Sequence, residues 1–358
     1  MEKIATDDYS MNRREFIAGA MAFGAFNALP AEADGAPGRK RPVGVREKSR
    51  QIRAVMLILG SGMWGNENFH DHQSPVDREG WKHLTALAAE KRANMLLLDI
   101  GEMLRWPSHP ELAYPESWSV EEMRAEIQRL KAMGLEVIPK LNFSTTHNWW
   151  LGEWRRYCST SKYYQVCEEL IRDAADVFDH PRFCHIGFEE ETAANQSGAQ
   201  QVIVRGGDLW YHDLAEHAKS CEKVGMRPWM WSDRGWNDEE FVRRCPKSIV
   251  QSDRYDNEDL QVFDVKKVNS DFARRLALMD KLSVAGFDQI PCGSNRKSPQ
   301  GKASGVKSNR SFLKLADYAK EHIAPEHHLG MMMATRAKPT KAEYKDNYEG
   351  IEILGELA

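Results

Sequence analysis

The chain has 358 residues, with 49 basic and 53 acidic side chains and a formal net charge of −4. This length suits one large globular domain with a sizeable core. The balanced charge excludes the strongly basic surface of a nucleic-acid-binding protein, so we expect no nucleic-acid partner. The 11 tryptophans are compatible with sugar-binding platforms and equally with core packing, because aromatic rings serve both purposes.

The N-terminal residues have the pattern of an export signal. The twin arginines at 13–14 precede an apolar run at 18–29, and small residues at 31–33 offer a cleavage site. We therefore predict a twin-arginine signal peptide over 1–33, followed by a flexible leader over 34–51. The apolar run is too short for a membrane span, so we expect an exported bacterial protein, periplasmic or extracellular, without a stable span after signal removal.

Over residues 52–358, apolar strand-like runs alternate with segments of helical periodicity. The predicted strands lie at 54–59, 94–99, 135–143, 183–186, 227–233, 248–252, 286–290 and 329–334. The predicted helices lie at 78–91, 119–130, 164–178, 209–224, 238–245, 270–285, 311–322 and 341–356. This alternation predicts an α/β fold with a buried parallel sheet, and eight units predict a single (β/α)8 TIM barrel. The alternative is an open doubly wound sheet, but the chain has no Walker loop to favour it.

In a TIM barrel, the residues just after each strand surround the active-site mouth. Here those residues are mainly carboxylates, tryptophans and amides. They are Trp64, Asn66, Asp99, Glu102, Asn142, Thr145, His147, Trp149, Trp150, Glu189, Glu190, Glu191, Trp231, Asp233, Ser252, Asp253, Tyr255, Asp288, Asn295 and Arg336. Any one of them is compatible with a solvated loop, and their coincidence at one end of the barrel indicates a binding site.

The most distinctive of these segments is the run Glu189-Glu190-Glu191, which ends the fourth apolar run. Adjacent carboxylates repel, and the repulsion raises at least one pKa. Such a run is typical of a solvated helix face or of a site that holds a proton near neutral pH. Hydrolysis of a glycosidic bond needs a carboxylic acid beside groups that stabilise positive charge at the anomeric carbon. Carboxylates with aromatic neighbours meet that need.

Two other chemistries have weaker support. Nucleophilic serine catalysis lacks a GxSxG motif, and the six cysteines are spread out as buried thiols, with one or two disulfides left open. His70 and His72 form the HxH pair that some metal-dependent barrel hydrolases carry. Those enzymes also need histidines after the fifth and sixth strands, where this chain has Asp233 and Asp253. We therefore expect no metal and no cofactor, and we keep a metal-dependent hydrolase as an alternative.

Three segments resemble the glycoside hydrolases of family 20, the β-N-acetylhexosaminidases. The segment His185-Ile186-Gly187-Phe188-Glu189-Glu190 resembles the family's His-x-Gly-Gly-Asp-Glu strand end. Residues 133–141 are similar to its third strand, and residues 229–233 to its Trp-Asp-Glu-type fifth strand. The resemblance implies a TIM barrel that cleaves a glycosidic bond in an oligosaccharide or glycoconjugate substrate.

The resemblance also implies roles for individual residues. Glu189 takes the place of the acid that orients the substrate's acetamido group, and Glu190 takes the place of the general acid. Asp233 would orient the substrate or stabilise charge. The candidate substrate-binding residues are Asp99, Asn142, His147, Trp149, Trp150, His185, Trp231, Asp253 and Tyr255. His185 has a second interpretation, as a hydrogen-bonded core histidine.

The chain departs from the family pattern at Glu189, Phe188 and Lys140, which replace an aspartate, the second glycine and an acid of the third strand. These differences leave two alternatives open. The first is a glycosidase for another sugar, for example an acidic one held by Lys140 and Arg336. The second is a barrel that binds carbohydrate and has lost catalysis.

Overall fold

The computed structural model describes residues 51–60, 76–255, 271–295, 310–335 and 344–357. These residues belong to one compact unit that spans 50–358. Within them the strands are β1 Ile52–Ile58, β2 Met95–Asp99, β3 Glu136–Lys140, β4 Phe183–His185, β5 Arg227–Trp231, β6 Val250–Ser252, β7 Arg254–Tyr255, β8 Cys292–Ser294 and β9 Gly330–Ala334. The helices are α1 Arg78–Glu90, α2 Val120–Ala132, α3 Ser161–Val177, α4 Gly207–Lys223, α5 Phe241–Arg244, α6 Asp271–Val284, α7 Ser311–His322 and α8 Tyr344–Gly355.

The strands form one parallel sheet that closes into a barrel. Its order is β6-β5-β4-β3-β2-β1-β9-β8-β7. Only Asp253 separates β6 from β7 along the chain, so the two ends of the sheet are halves of one interrupted strand. Gln251 also bridges directly to Gln289 in the seventh position of the barrel. The barrel therefore has eight positions, and the predicted (β/α)8 TIM barrel is confirmed.

Side-chain alternation along each strand divides the core into two layers. Trp229 and Trp231 of β5 point into the barrel, where they belong to the inner cluster, and Met230 between them belongs to the outer cluster under the helices. The same alternation places Phe183 inside and Cys184 outside in β4. Burial on both faces explains why the strands are continuous apolar runs in the sequence.

The helices begin where the sequence provides caps. Ser119 and Glu122 form a complete capping box at the start of α2, and Asp77 caps α1 by accepting from two backbone N–H groups. None of the helices in the described ranges is long and apolar enough to cross a membrane. The predicted signal peptide and most of the leader lie outside those ranges, and their boundaries stay predictions.

The seventh strand differs from its prediction. The sequence favours a strand over 286–290, but only Gln289 pairs there, and β8 begins at Cys292. Pro291 separates the two segments, because it has no N–H to donate to the strand ladder. Asp288 therefore lies at the opposite end of the barrel from the mouth, where it binds Arg227, the first residue of β5, at 2.6 Å. The placement of Asp288 at the rim was wrong.

Candidate active site

The register of three neighbouring strands places polar side chains side by side inside the barrel. Asp99 of β2 pairs with Lys140 of β3, and Lys140 pairs with His185 of β4. Lys140 Nζ donates to Asp99 Oδ2 at 2.5 Å, and both side chains are buried. The ammonium group is thus neutralised within the protein, which argues against its use in binding an acidic sugar. The same contact holds the carboxylate of Asp99 against Lys140.

His185 is a neutral, buried histidine. Its Nδ1 accepts from the Gly187 N–H at 3.1 Å, so its proton is on Nε2. Its ring lies between Trp229 and Trp231, with centroids 5.2 and 4.8 Å away. Burial holds the pKa of His185 well below its ordinary value, and the charge of Lys140 adds to this effect. These contacts favour the core interpretation of His185, at the floor of the mouth.

A turn with left-handed backbone angles follows β4 and carries Glu189 and Glu190. Gly187, Phe188 and Glu190 have φ values of +79°, +74° and +58°. Only glycine adopts this region without steric cost, so two of the three positions store strain, a feature that clusters at functional sites. Phe188 stands where the motif of family 20 has its second glycine. At Gly187 a Cβ atom would lie 2.1 Å from Asn142 Oδ1, so the close approach of β3 requires a glycine there.

Glu189 is buried against the end of β3. Its Oε1 accepts from Asn142 Nδ2 at 2.7 Å, and its backbone carbonyl accepts from the Ser144 hydroxyl. Asn142 is itself oriented by the Ser144 N–H, which donates to Asn142 Oδ1 at 3.1 Å. Glu189 Oε2 is buried and has no hydrogen-bond partner among the described residues. A buried carboxylate oxygen of this kind is suited to accept a donor from a ligand.

Four side chains, each from a different segment of the barrel mouth, form a continuous series of ion pairs, which we call the ion chain: Asp233, Arg254, Glu190 and His147. Arg254 Nε donates to Asp233 Oδ1 at 3.0 Å, and its Nη2 contacts both Asp233 Oδ2 and, at 2.7 Å, Glu190 Oε1. His147 Nε2 lies 3.2 Å from Glu190 Oε2. Both oxygens of Glu190 therefore face positively charged or hydrogen-bond-donating groups.

The ion chain shifts the pKa values of its members. The hydrogen bond with His147 holds the pKa of Glu190 well below its ordinary value; burial opposes the shift, and the charge of Arg254 adds to it. Burial lowers the pKa of His147, but the hydrogen bond with Glu190 and the charge of Glu189 outweigh burial and raise it. Burial raises the pKa of Asp233 against the opposing effect of Arg254. The partners of Glu190 thus favour its ionised form.

Asp253, the residue between β6 and β7, is the acid that retains a proton near neutral pH. Its Oδ1 accepts from Trp236 Nε1 at 2.7 Å, and its side chain is buried. Burial raises the pKa of Asp253 to about 8, the Trp236 hydrogen bond opposes the rise, and the charge of Asp233 adds to it. The sequence placed a raised pKa in the glutamate run after β4, whereas the raised pKa lies at Asp253, on the other side of the strand from the inward residues Ser252 and Arg254.

The predicted aromatic platforms are buried. Trp150 packs on Trp106 and Phe143 and donates to the Asn142 carbonyl at 2.9 Å. Trp149 has the guanidinium of Arg155 at 3.7 Å from its ring centroid and donates to the Thr146 carbonyl.

Trp231 and Tyr255 are buried as well, on opposite faces of the sheet. Trp231 lies in the inner cluster, whereas Tyr255 lies in the outer core layer between sheet and helices and points away from the mouth. The prediction that Tyr255 faces the mouth was therefore wrong, and the three tryptophan rings do not form an exposed platform.

Glu191, the third glutamate, anchors the turn from behind. It forms two hydrogen bonds with Arg205, which is 1% exposed and also binds Asp213 of α4 at 3.1 Å. Arg205 donates to the Phe143 carbonyl after β3 at 3.2 Å as well. The run of three glutamates therefore includes one that has a structural partner and does not face the site.

Arg254 was not among the predicted site residues, although it holds the ion chain together. The apolar run of the sixth strand ends at Ser252, and the prediction stopped there. The alternation of inward residues continues across Asp253, so Ser252 and Arg254 point to the same side. Continuing the alternation of inward and outward side chains two residues past Ser252 would have identified Arg254 as an inward-facing residue.

Within the described ranges, no group of three or more His, Cys, Asp or Glu side chains is arranged to hold a metal ion. His70 and His72 lie outside those ranges, as do Trp64, Asn66 and Arg336. The metal-dependent alternative therefore stays a hypothesis.

Comparison with known proteins decides the fold. No family model matches the chain, and no curated protein matches it in sequence. Solved structures match it well. A family 20 β-N-acetylglucosaminidase has a TM-score of 0.57 and 14% identity, over 86% of this chain and 69% of that one. The chain has the fold of the family 20 glycoside hydrolases.

Two further matches agree. Dispersin B has a TM-score of 0.56 and 15% identity over 86% of this chain and 98% of its own. The family 20 β-N-acetylhexosaminidase of Streptomyces coelicolor A3(2) has a TM-score of 0.57 and 15% identity, over 85% of this chain and 64% of that enzyme. The fold resemblance predicted from the sequence is confirmed. At these identities the comparison establishes the fold, and activity must be argued from the site.

The close contact at Gly187 leads to a stability prediction. Gly187→Ala should lower the free energy of unfolding more than Gly225→Ala does. Gly225 has a similar φ of +80° but nothing within 4 Å of its Cβ position, so its substitution tests backbone strain alone, at roughly 1–2 kcal/mol. At Gly187 the new methyl group also collides with Asn142 and displaces the partner of Glu189. Urea unfolding of both variants measures the difference, and equal losses would contradict the contact.

The buried acid Asp253 leads to a pH prediction. Its folded-state pKa is about 8, whereas an aspartate in an unfolded chain has a pKa of about 3.9. Between these values the folded state binds the extra proton, so the contribution of Asp253 to stability is lost as the pH rises. From about pH 5 to about pH 8, we expect the unfolding free energy of Asp253→Asn to fall less than that of the wild type. Asp176→Asn, at an exposed position of α3, is the control and should follow the wild-type curve; parallel curves for all three proteins would refute the raised pKa.

Proposed function

We propose that the protein is a glycoside hydrolase that cleaves a glycosidic bond in an oligosaccharide or glycoconjugate. The observation that carries this proposal is the pair of the buried Glu189 and the partly exposed Glu190 on a strained left-handed turn at the end of β4, in a barrel with the family 20 fold. Strain of this kind persists where the surrounding structure fixes a functional geometry. The adjacent Asn142, His147 and Asp233 support the same site.

The proposed roles follow from the partners of each carboxyl group. Glu190 donates a proton to the glycosidic oxygen, the bond between that oxygen and the anomeric carbon breaks, and the electron pair stays on the leaving group. Glu189, held by Asn142 at 2.7 Å, offers its second oxygen to a donor of the substrate, such as the N–H of an acetamido group. Asp233 stabilises positive charge that develops at the anomeric carbon. The oxygen of a water molecule then bonds to the anomeric carbon, and one of its protons returns to Glu190.

The test is a screen of the full chain and its Glu190→Gln variant against aryl glycosides and glycans. We expect the wild type to cleave one of them, and Glu190→Gln to lose about 100-fold or more in kcat, the usual size of a general-acid contribution. Glu153→Gln, at an exposed position, is the matched control and should keep full activity. Thermal unfolding of each variant separates lost chemistry from lost folding. Full turnover by Glu190→Gln would refute its assignment.

A second function is favoured by one observation. Both oxygens of Glu190 accept from His147 and Arg254, which is unfavourable for a group that must carry a proton. The alternative is therefore a barrel that binds carbohydrate without cleaving it. In the same screen it corresponds to glycan binding without bond cleavage after prolonged incubation, and to binding that Glu190→Gln leaves nearly unchanged.

We also propose that the protein is exported through the twin-arginine pathway, from the sequence of its first 33 residues. We expect the double substitution Arg13→Lys and Arg14→Lys to retain the chain in the cytoplasm, because the arginine pair is read by the export machinery. Cell fractionation of the wild type and the double variant measures this. Identical distributions of the two proteins would contradict the proposal.

A further inference from the structure

We propose that Arg254 is a positioning residue of this site: its guanidinium joins Asp233 to Glu190 and fixes the place and the charge of the Glu190 carboxyl group. The kinetic consequence rests on the function proposed above, but the positioning itself does not. Arg254 forms an ion pair with both Asp233 and Glu190.

The protein holds Arg254 tightly. Its backbone lies in β7, paired with Cys292 of β8, and its carbonyl accepts from Arg275 at 3.4 Å. The rings of Trp231 and Trp236 flank the guanidinium at 5.6 and 5.7 Å. The side chain of Arg254 is 5% exposed, so little water competes for its donors. A charge in such an environment acts more strongly on its neighbours than a surface charge does.

The interrupted sixth strand explains why Arg254 reaches both carboxylates. Asp233 follows β5 and Glu190 follows β4, so the two lie at the ends of neighbouring strands, and Arg254 extends toward them from the next strand of the barrel. The chain continues past Ser252 through Asp253 into β7, which places Arg254 two residues nearer the mouth than the last inward residue of β6. From there the planar guanidinium contacts Asp233 through two nitrogens and Glu190 through one of them.

The groups that face Glu190 come from every neighbouring element. His147, from the segment after β3, and Arg254, from β7, favour the ionised carboxylate. Glu189 on the same turn and Asp233 after β5 carry like charge and oppose it. Removing the guanidinium leaves the contact with His147 to act against the carboxyl groups of Glu189 and Asp233. The pKa of Glu190 must then rise, and the carboxyl group loses one of its two fixed contacts.

Loss of Arg254 should move the pH dependence of kcat/KM in one direction, toward higher pH. A general acid must be protonated, so kcat/KM falls as the pH rises through the pKa of that acid in the free enzyme. His147 and Arg254 together hold the pKa of Glu190 low, so we expect the falling limb of the wild-type profile at acidic pH. In Arg254→Met the falling limb of the profile should move to higher pH by about one to three units, the range by which a nearby opposite charge shifts a carboxyl pKa.

The experiment compares Arg254→Met and Arg254→Lys with the wild type in two measurements. The first is a 13C-NMR titration of the glutamate side chains, in which the Glu190 signal is identified by its loss in Glu190→Gln. The second is the pH profile of kcat/KM on the substrate found in the screen. Arg234→Met is the control, because Arg234 pairs with Asp238 at 2.8 Å outside the ion chain and should change neither measurement.

The outcomes are distinct. A raised Glu190 pKa in Arg254→Met, with a smaller rise in Arg254→Lys, supports the positioning role, and a matching shift of the kinetic limb supports its use in catalysis. If the titration shifts while no substrate is cleaved by any variant, the positioning stands and the hydrolase function fails. An unchanged Glu190 titration in both variants overturns the proposal, even if activity falls. If Arg254→Met does not fold, the titration of Arg254→Lys decides, because a lysine keeps the charge and loses the two-pronged contact.

Discussion

The burial of carboxyl groups is the constraint on which the mouth of this barrel depends. A carboxylate that leaves water must find a cation, find hydrogen-bond donors, or take up a proton. The structure uses each of these solutions at a different acid: Lys140 for Asp99, Asn142 for Glu189, Arg254 and His147 for Glu190, Arg254 for Asp233, and a retained proton for Asp253.

Because their partners differ, the acids have different protonation states. Glu190 is ionised, whereas Asp253 is protonated near neutral pH. Active sites commonly contain acids whose environments push their pKa values apart, because acid and base steps need different groups. The role of each carboxyl group therefore depends on its own hydrogen-bond partners, and the glutamate run does not act as one unit.

The fold could be predicted because it depends on local patterns. Eight apolar runs with helices between them are enough to indicate a closed parallel barrel, and the strand ends then point to the mouth. The prediction of strand seven was wrong because Pro291 displaces pairing toward Cys292, an effect that hydrophobicity alone does not reveal. The site required more: Arg254 follows an apparent strand end, and its role appears only when the side-chain alternation is continued past Asp253. The burial of Trp150 could not be read from the sequence, because it depends on packing against Trp106 and Phe143.

The three glutamates after β4 have consequences for how this sequence can change. Their carboxyl groups lie in three environments: Glu189 on Asn142, Glu190 in the ion chain and Glu191 on Arg205. The left-handed backbone at Phe188 and Glu190 separates the directions of residues that are adjacent in sequence. A substitution at one position therefore alters one environment. A one-residue insertion or deletion would instead shift the register, so that each glutamate would lie opposite the partner that now binds the adjacent glutamate. In this turn the register of the chain against these partners, more than the identity of any single acid, determines which glutamate occupies which environment.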